Sequence, residues 1–181
     1  MAPHRPRLAT GTQLLAAALV FASAAGARAE SRSFPLDPAH AEIAFRAYAF
    51  GVVPTDGMFS RFSGTLTVDP DAPGTCRVDV NVEVASLQMS NRSVRGEVLS
   101  AGLLDAADFP TLVYSGSCDP GGIDGALTLH GATHPLHLAI VNSPPRYSAE
   151  AAIHRRDWGI TGRPLLCGPT VRIRVSTTIS R

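Results

Sequence analysis

The segment Arg77-Val78-Asp79-Val80-Asn81-Val82-Glu83-Val84 carries a valine at every second position. Side chains of an extended strand alternate sides with a period of two, so one face of this segment meets an apolar interior and the other meets water. The pattern returns near the C-terminus, with Val171, Ile173 and Val175 on one side and Arg172 and Arg174 on the other. Similar runs lie at 42–48, 64–68, 112–118, 126–130, 136–141 and 147–153. Turn chemistry separates them, at Asp69-Pro70-Asp71-Ala72-Pro73-Gly74, Asp119-Pro120-Gly121-Gly122 and Asn142-Ser143-Pro144-Pro145. About eight strands at such short spacing predict an all-β, antiparallel sandwich or barrel. Only residues 91–107 break the pattern: Asn91 is a capping residue, and Val94, Val98 and Leu99 follow at roughly helical spacing, which predicts one short helix.

With 181 residues and 45% of them hydrophobic, the chain has material for one domain with a sizeable core. Its 16 basic residues, all arginine, nearly balance 15 acids, which excludes a strongly basic nucleic-acid binder and an acidic tail protein. At the N-terminus, Arg5 and Arg7 precede the apolar run 14–25, which gives way to Ala27-Arg28-Ala29. A positive region, a short apolar region and an Ala-x-Ala site predict a secretory signal peptide over 1–29. The run falls short of the ~20 apolar residues of a membrane-spanning helix. Cleavage after Ala29 leaves residues 30–181 as one barrel domain, with 13 arginines against 15 acids. The expected location is periplasmic or secreted, with no transmembrane segment and no nucleic-acid partner.

In such a compartment disulfides persist, and the chain has three cysteines. Cys76 opens the strand that runs to Val84, and Cys118 closes the strand that starts near Thr111. If these are sequential neighbours in an up-and-down barrel, they run antiparallel and the start of one lies beside the end of the other. Cys76 shares parity with Val78 and Val80, and Cys118 with Leu112 and Tyr114, so both thiols face one side and a Cys76–Cys118 bridge is predicted. Cys167 is left over, either free or paired between chains, which keeps a homodimer open.

Several inward positions are small. Gly64, Gly116, Ala149 and Ala151 share the inward parity, while Phe45, Phe62, Tyr114 and Leu138 keep that face apolar. Two readings follow: a lumen left unfilled for one small ligand, or tight bends where strands coil. The first is preferred because alanine has no bend chemistry. Parity then predicts a ligand-binding lumen lined by Ile43, Phe45, Phe62, Leu66, Val80, Val82, Leu112, Tyr114, Leu127, Leu129, Leu138, Ile140, Ala151 and Trp158. Arg155 continues the parity of Tyr147, Ala149, Ala151 and Ile153 and is expected to point inward near a strand end. A buried arginine needs a partner, either the phosphate of a ligand or a carboxylate such as Asp157, and the carboxylate is preferred.

Five pieces of the chain, in order, carry a resemblance. They are Leu36-Asp37-x-x-His40-Ala41-x-Ile43-x-Phe45, Gly57-Met58-Phe59-x-x-Phe62-Ser63-Gly64-x-Leu66, and Leu104-Asp105-Ala106-Ala107-Asp108-Phe109-Pro110-Thr111-Leu112. Two more follow, Gly125 to Leu136 around Leu129-His130-Gly131, and Ile153-His154-Arg155-Arg156-Asp157-Trp158-Gly159-Ile160. Together they resemble the YceI-like family of secreted, lipocalin-like, polyisoprenoid-binding proteins over nearly all of residues 30–181. The resemblance implies an extended eight-stranded antiparallel barrel with a short helix near its mouth and a long isoprenoid or similar amphiphilic lipid in its lumen. It departs from the family pattern at Arg95-Gly96-Glu97-Val98-Leu99, where the family commonly has an Asp and a His, and at Leu103-Leu104, where an aromatic is usual.

Other chemistry is weakly signalled. His130, His134 and His137 lie within eight residues, but their directions across a turn are not set and no carboxylate or cysteine stands at ligand spacing, so no metal is expected. Asp37 and His40 at a strand start read as a turn-capping pair. A nucleophile elbow and a phosphate-binding glycine loop are both missing from the sequence, so no enzyme and no cofactor are expected. The expected function is an exported lipid-binding protein that takes an isoprenoid or fatty-acyl lipid for carriage or sequestration in the envelope. The alternative is a structural or stress-related interaction module whose barrel is filled by its own side chains.

Overall fold

A computed structural model of the chain describes residues 31–69, 72, 74–143, 146–164 and 167–178. The export signal expected over 1–29 lies outside the described residues. The chain forms β1 (Arg32–Pro35), β2 (Ala41–Ala49), β3 (Val53–Phe59), β4 (Phe62–Val68), β5 (Cys76–Glu83) and β6 (Leu87–Gln88). After helix α1 (Arg92–Leu99) come β7 (Thr111–Asp119), β8 (Gly122–Leu129), β9 (Ala132–Ser143), β10 (Arg146–His154) and β11 (Thr170–Thr178).

These segments make one antiparallel sheet in the order β1-β4-β5-β7-β8-β9-β10-β11-β2-β3-β6. The eleven segments and the eight expected strands describe the same wall. β1 and β2 are halves of one long strand interrupted at 36–40, and β3 and β4 are halves of the next, interrupted at Ser60 and Arg61. The pairings of β1 with β4, β2 with β3, and β2 with β11 carry the ladder round to its start, so the sheet curls into a barrel. β6 is a two-residue strap on Met58 and Phe59.

The half-strands that escape the sequence pattern have a physical reason to do so. β3 reads Val-Pro-Thr-Asp-Gly-Met-Phe, whose Pro54, Asp56 and Gly57 are poor strand formers. Gly57 is required by packing: a Cβ there would stand 2.5 Å from the Phe45 ring, which lies across β3. The helix starts where Asn91 predicts, its side chain accepting hydrogen bonds from the N–H groups of Ser93 and Val94 at 2.9 and 3.2 Å.

Alternation along each strand sorts the wall. In β5, Val78, Val80 and Val82 are buried while Arg77, Asp79, Asn81 and Glu83 are exposed. Outward charges pair across strands, as in Arg61–Glu83, Arg46–Asp56 and Arg174–Glu150. No helix among the described residues is long and apolar enough to cross a membrane.

Candidate functional site

The inward faces enclose a cavity of about 770 Å³, within the size range of small-molecule and lipid sites. β2 contributes Ile43 and Phe45, β4 Leu66, β5 Val80 and Val82, β7 Leu112 and Tyr114, β8 Leu127 and Leu129, and β9 Leu138 and Ile140. Arg155 also reaches the cavity surface. Parity along regular strands therefore places eleven of the fifteen residues singled out from the sequence on the wall of one space, and Arg155, just past the end of β10, is a twelfth.

Three do not line it. Phe62 is packed into the apolar core beside Val82, away from the open space. Ala151 has inward parity opposite Ile173 and packs against the core, but it does not line the cavity. Trp158 fails for a different reason: β10 ends at His154 and the chain turns into a 3₁₀ helix over Arg155–Trp158, where a period of two no longer applies. Its indole Nε1 donates to the carbonyl of Leu127 at 3.2 Å, and His134 meets the ring edge-on.

Other lining residues had been legible. Val171, Ile173 and Val175 of β11 carry the same alternation and line the cavity between the β10 and β2 contributions. Val98, Leu103 and Leu104, from α1 and the turn behind it, cover one end. We call this the helix end, and the end that holds Cys76 and Cys118 the disulfide end.

The glycines require a correction. Gly64 and Gly116 do face inward, but they do not open the lumen. A Cβ on Gly64 would meet the Asp79 carbonyl oxygen at 2.3 Å, so the glycine marks a tight coil between β4 and β5. Gly116 faces Gly125 across the β7–β8 pair, and the Tyr114 ring fills the space above Gly125, within 2.7 Å of where a Cβ would be. The Tyr114 hydroxyl lies 3.1 Å from the carbonyl oxygens of both Ile123 and Leu136, which share its one proton. Burial pushes its pKa up to about 12, with the nearby Asp124 charge adding to the shift, so the phenol stays neutral.

Arg155 also departs from expectation. It is only 3% exposed, yet no carboxylate is its partner among the described ion pairs; Asp157 does not hold it. Its Nε donates to the carbonyl of Gly168, Nη1 to those of Ile160 and Gly162, and Nη2 to that of Cys167, at 2.8–3.1 Å. The guanidinium thus ties Ile160, Gly162, Cys167 and Gly168 to the end of β10. Four converging carbonyls take up most of the five N–H donors of the planar fork, so the buried cation is satisfied without a carboxylate.

At the disulfide end, Cys76 and Cys118 are bridged, with Cα atoms 4.8 Å apart, and both line the cavity. The β5–β7 register, with Arg77 opposite Ser117, puts them directly opposite each other as predicted. Cys167 is a half-buried free thiol that lines the helix end; burial pushes its pKa up, and the Arg155 charge opposes that shift. Beside it Arg163 reaches Glu97 of α1 at 2.7 Å.

The three histidines diverge. His130 has positive φ and stacks on Phe109, His134 lies against Trp158, and the Nδ1 of His137 is 2.7 Å from Asp124. Asp119, Asp124 and His137 bring one ligand-type atom each within 4.8 Å of one another, a cross-strand grouping that sequence spacing conceals. Asp119 already caps its turn by accepting from the N–H groups of Gly121 and Gly122. Asp37 likewise accepts from the N–H groups of Ala39 and His40 and pairs with the His40 ring, closing the turn into β2.

Fold and cavity together define the class: a lipocalin-like barrel built around an apolar lumen. The chain belongs to the YceI-like family, whose domain model matches residues 34–179. A UPF0312 protein of Vibrio vulnificus is 30% identical over 138 residues, which span 73% of this chain and 70% of that protein. The protein YceI of Salmonella arizonae is 29% identical over 160 residues, 80% of this chain and 83% of that one. Among solved structures, Burkholderia cenocepacia BcnA matches with a TM-score of 0.66 at 19% identity, covering 80% of this chain and 99% of that chain. A polyisoprenoid-binding domain from Saccharophagus degradans matches with a TM-score of 0.56 at 14% identity, covering 81% and 98%.

Proposed function

We propose that the protein is an exported carrier that holds one long isoprenoid or similar amphiphilic lipid in its lumen, within the periplasm or outside the cell. The observation that carries this reading is the cavity itself, about 770 Å³ walled by aliphatic side chains from every long strand of the barrel. A barrel serving only as an interaction module would be filled by its own side chains, as small barrels commonly are. Kinship with proteins named for polyisoprenoid binding supports the choice of ligand class. Burying ten methylenes of a lipid tail contributes about 8 kcal/mol before ordering costs, enough for stable but reversible capture. The lumen residues from Ile43 to Ile140 named above bind the tail, and the reading assigns no chemical step and no cofactor.

Native mass spectrometry of protein purified from its own host, followed by uptake of prenyl and fatty-acyl probes from detergent, tests the proposal. Ala149 is buried and lines the cavity, so Ala149→Trp should abolish uptake while circular dichroism stays β-rich. Loading of that variant to wild-type levels, or an apoprotein that takes up neither probe, would refute it.

A further inference from the structure

The hairpin between β2 and β3 ends in Phe50-Gly51-Val52, with Val53 opening β3. Phe50 is 65% exposed, Val52 75% and Val53 52%, the most exposed contiguous apolar group among the described residues. Phe50 and Gly51 both have positive φ, 51° and 76°, and the Val52 N–H donates to the Ala49 carbonyl across the turn. A turn with two successive residues in the left-handed region favours Asn-Gly or Asp-Gly there, because most side chains are strained in that region. A bulky aromatic there costs backbone energy, and its exposure returns no burial within the molecule. Such an outlier points to a role outside the fold.

Two further features say what the tip meets. Phe50 lines the mouth of the cavity at the helix end, so the exposed apolar surface is continuous with the lumen. The tip also carries no charge. Between Arg46 and Asp56 every residue is uncharged, and those two are paired with each other, Nε to Oδ1 at 2.6 Å and Nη2 to Oδ2 at 2.9 Å. Across the mouth, Arg163 and Glu97 are likewise paired. An uncharged apolar projection flanked by neutralised ions enters a lipid–water interface without stripping water from a free charge.

We propose that the Phe50–Val53 tip docks the helix end of the barrel onto a lipid bilayer surface, placing the mouth of the lumen against the membrane. Docking is driven by apolar insertion, so it proceeds on zwitterionic lipid and does not depend on anionic headgroups. The proposal rests on the lipid-carrier reading for its purpose but not for its test.

Flotation of the purified protein with phosphatidylcholine vesicles tests it. The wild type should float, and replacing a third of the lipid with phosphatidylglycerol should change the partition little. Val52→Asp/Val53→Asp, at two exposed positions outside the cavity lining, should lower partition by about tenfold or more while detergent-delivered lipid uptake is unchanged. Phe50→Asn should lower partition as well, yet raise the melting temperature by about 2–4 °C, because the turn is relieved. A wild type that stays unbound, or a double variant that floats equally well, overturns the proposal. So does a wild type that self-associates in ultracentrifugation through these residues and ignores vesicles. Loss of detergent-delivered uptake in the wild type would instead count against the carrier reading, leaving flotation to judge the tip alone.

Discussion

The Cys76–Cys118 bridge lends itself to a quantitative perturbation. It joins the first residue of β5 to the penultimate residue of β7, across a sequence separation of 42. Between them run β6, α1 and the loop to Pro110, the part of the chain that covers the helix end of the barrel. Replacing both cysteines by alanine leaves the seven-pair β5–β7 ladder in place, so the folded state should change little. The effect falls on the unfolded chain, which regains the entropy of an open loop. For a ring of this size the chain-entropy relation gives about 4 kcal/mol. With a urea slope near ~2 kcal/mol/M, typical of a domain this long, the unfolding midpoint should fall by about 2 M in the Cys76→Ala/Cys118→Ala variant. Equilibrium urea unfolding followed by tryptophan fluorescence and by circular dichroism measures it. Trp158 sits in the wall near β8, so both probes should report one transition. Midpoints that agree within about 0.3 M would show that the loop is already constrained when unfolded, and the entropic account would fail.

Three other outcomes follow from the site. Arg155→Met leaves the carbonyls of Gly168, Ile160, Gly162 and Cys167 without their donor and should cost about 3 kcal/mol or more in chemical denaturation, with Arg155→Lys recovering only a minor part. Cys167, whose pKa is pushed up by burial, should alkylate about tenfold more slowly in the native protein than in urea, and more slowly still once a lipid occupies the cavity it lines; equal native and unfolded rates would contradict this. The carboxyls of Asp37, Asp56 and Glu83 are held below the usual range by hydrogen bonds from His40, Arg46 and Arg61, so their contribution is fully present above about pH 5 and is lost as pH falls through the folded values. All three are exposed, so thermal melts should show only a small acid loss that shrinks further in about 1 M salt.

Where the chain is regular, its sequence reports the structure directly. Alternation in β5 and β11 marks the inward face residue by residue, and strand order plus parity suffices to pair Cys76 with Cys118. Legibility ends where regularity does. β3 carries Pro54 and Gly57 because the Phe45 ring lies over it, a tertiary demand that erases the strand signal. Trp158 lies beyond the last residue of β10, and one 3₁₀ turn seats its ring in the core against Leu127 and His134 instead of on the cavity wall. Arg155 keeps its inward position through the same turn but takes carbonyl partners from a segment that no spacing rule brings near. Gly116 and Gly125 were ambiguous because a glycine leaves the same mark in sequence whether it makes room for a ligand or for a neighbouring ring. Only the register, with Tyr114 folded over the pair, resolves it.

The two ends of the barrel are held by different physics, and the difference bears on how a lumen of this kind fills. At the disulfide end a covalent bridge sits beside the β5–β7 and β7–β8 ladders, and the Tyr114 hydroxyl ties β8 to β9 from inside. At the helix end the cover is α1, an eight-residue helix with no fully buried side chain, together with Ile160, Arg163 and Cys167. The two covers meet where a Cβ on Gly162 would overlap the Gly102 backbone, and the solvent-exposed Glu97–Arg163 pair lies nearby. A helix this short has little stability of its own and stays folded through its packing, here mainly Val98 and Leu99 against the core. Local opening takes the least stable unit first, so separation of α1 and its following turn from Gly162 and Arg163 should cost less than parting any long strand. The exposed Phe50–Val53 tip lies on the same end. On the proposed carrier reading, a lipid entering by that route would leave the strand ladder intact and the barrel hydrogen-bonded while its contents change.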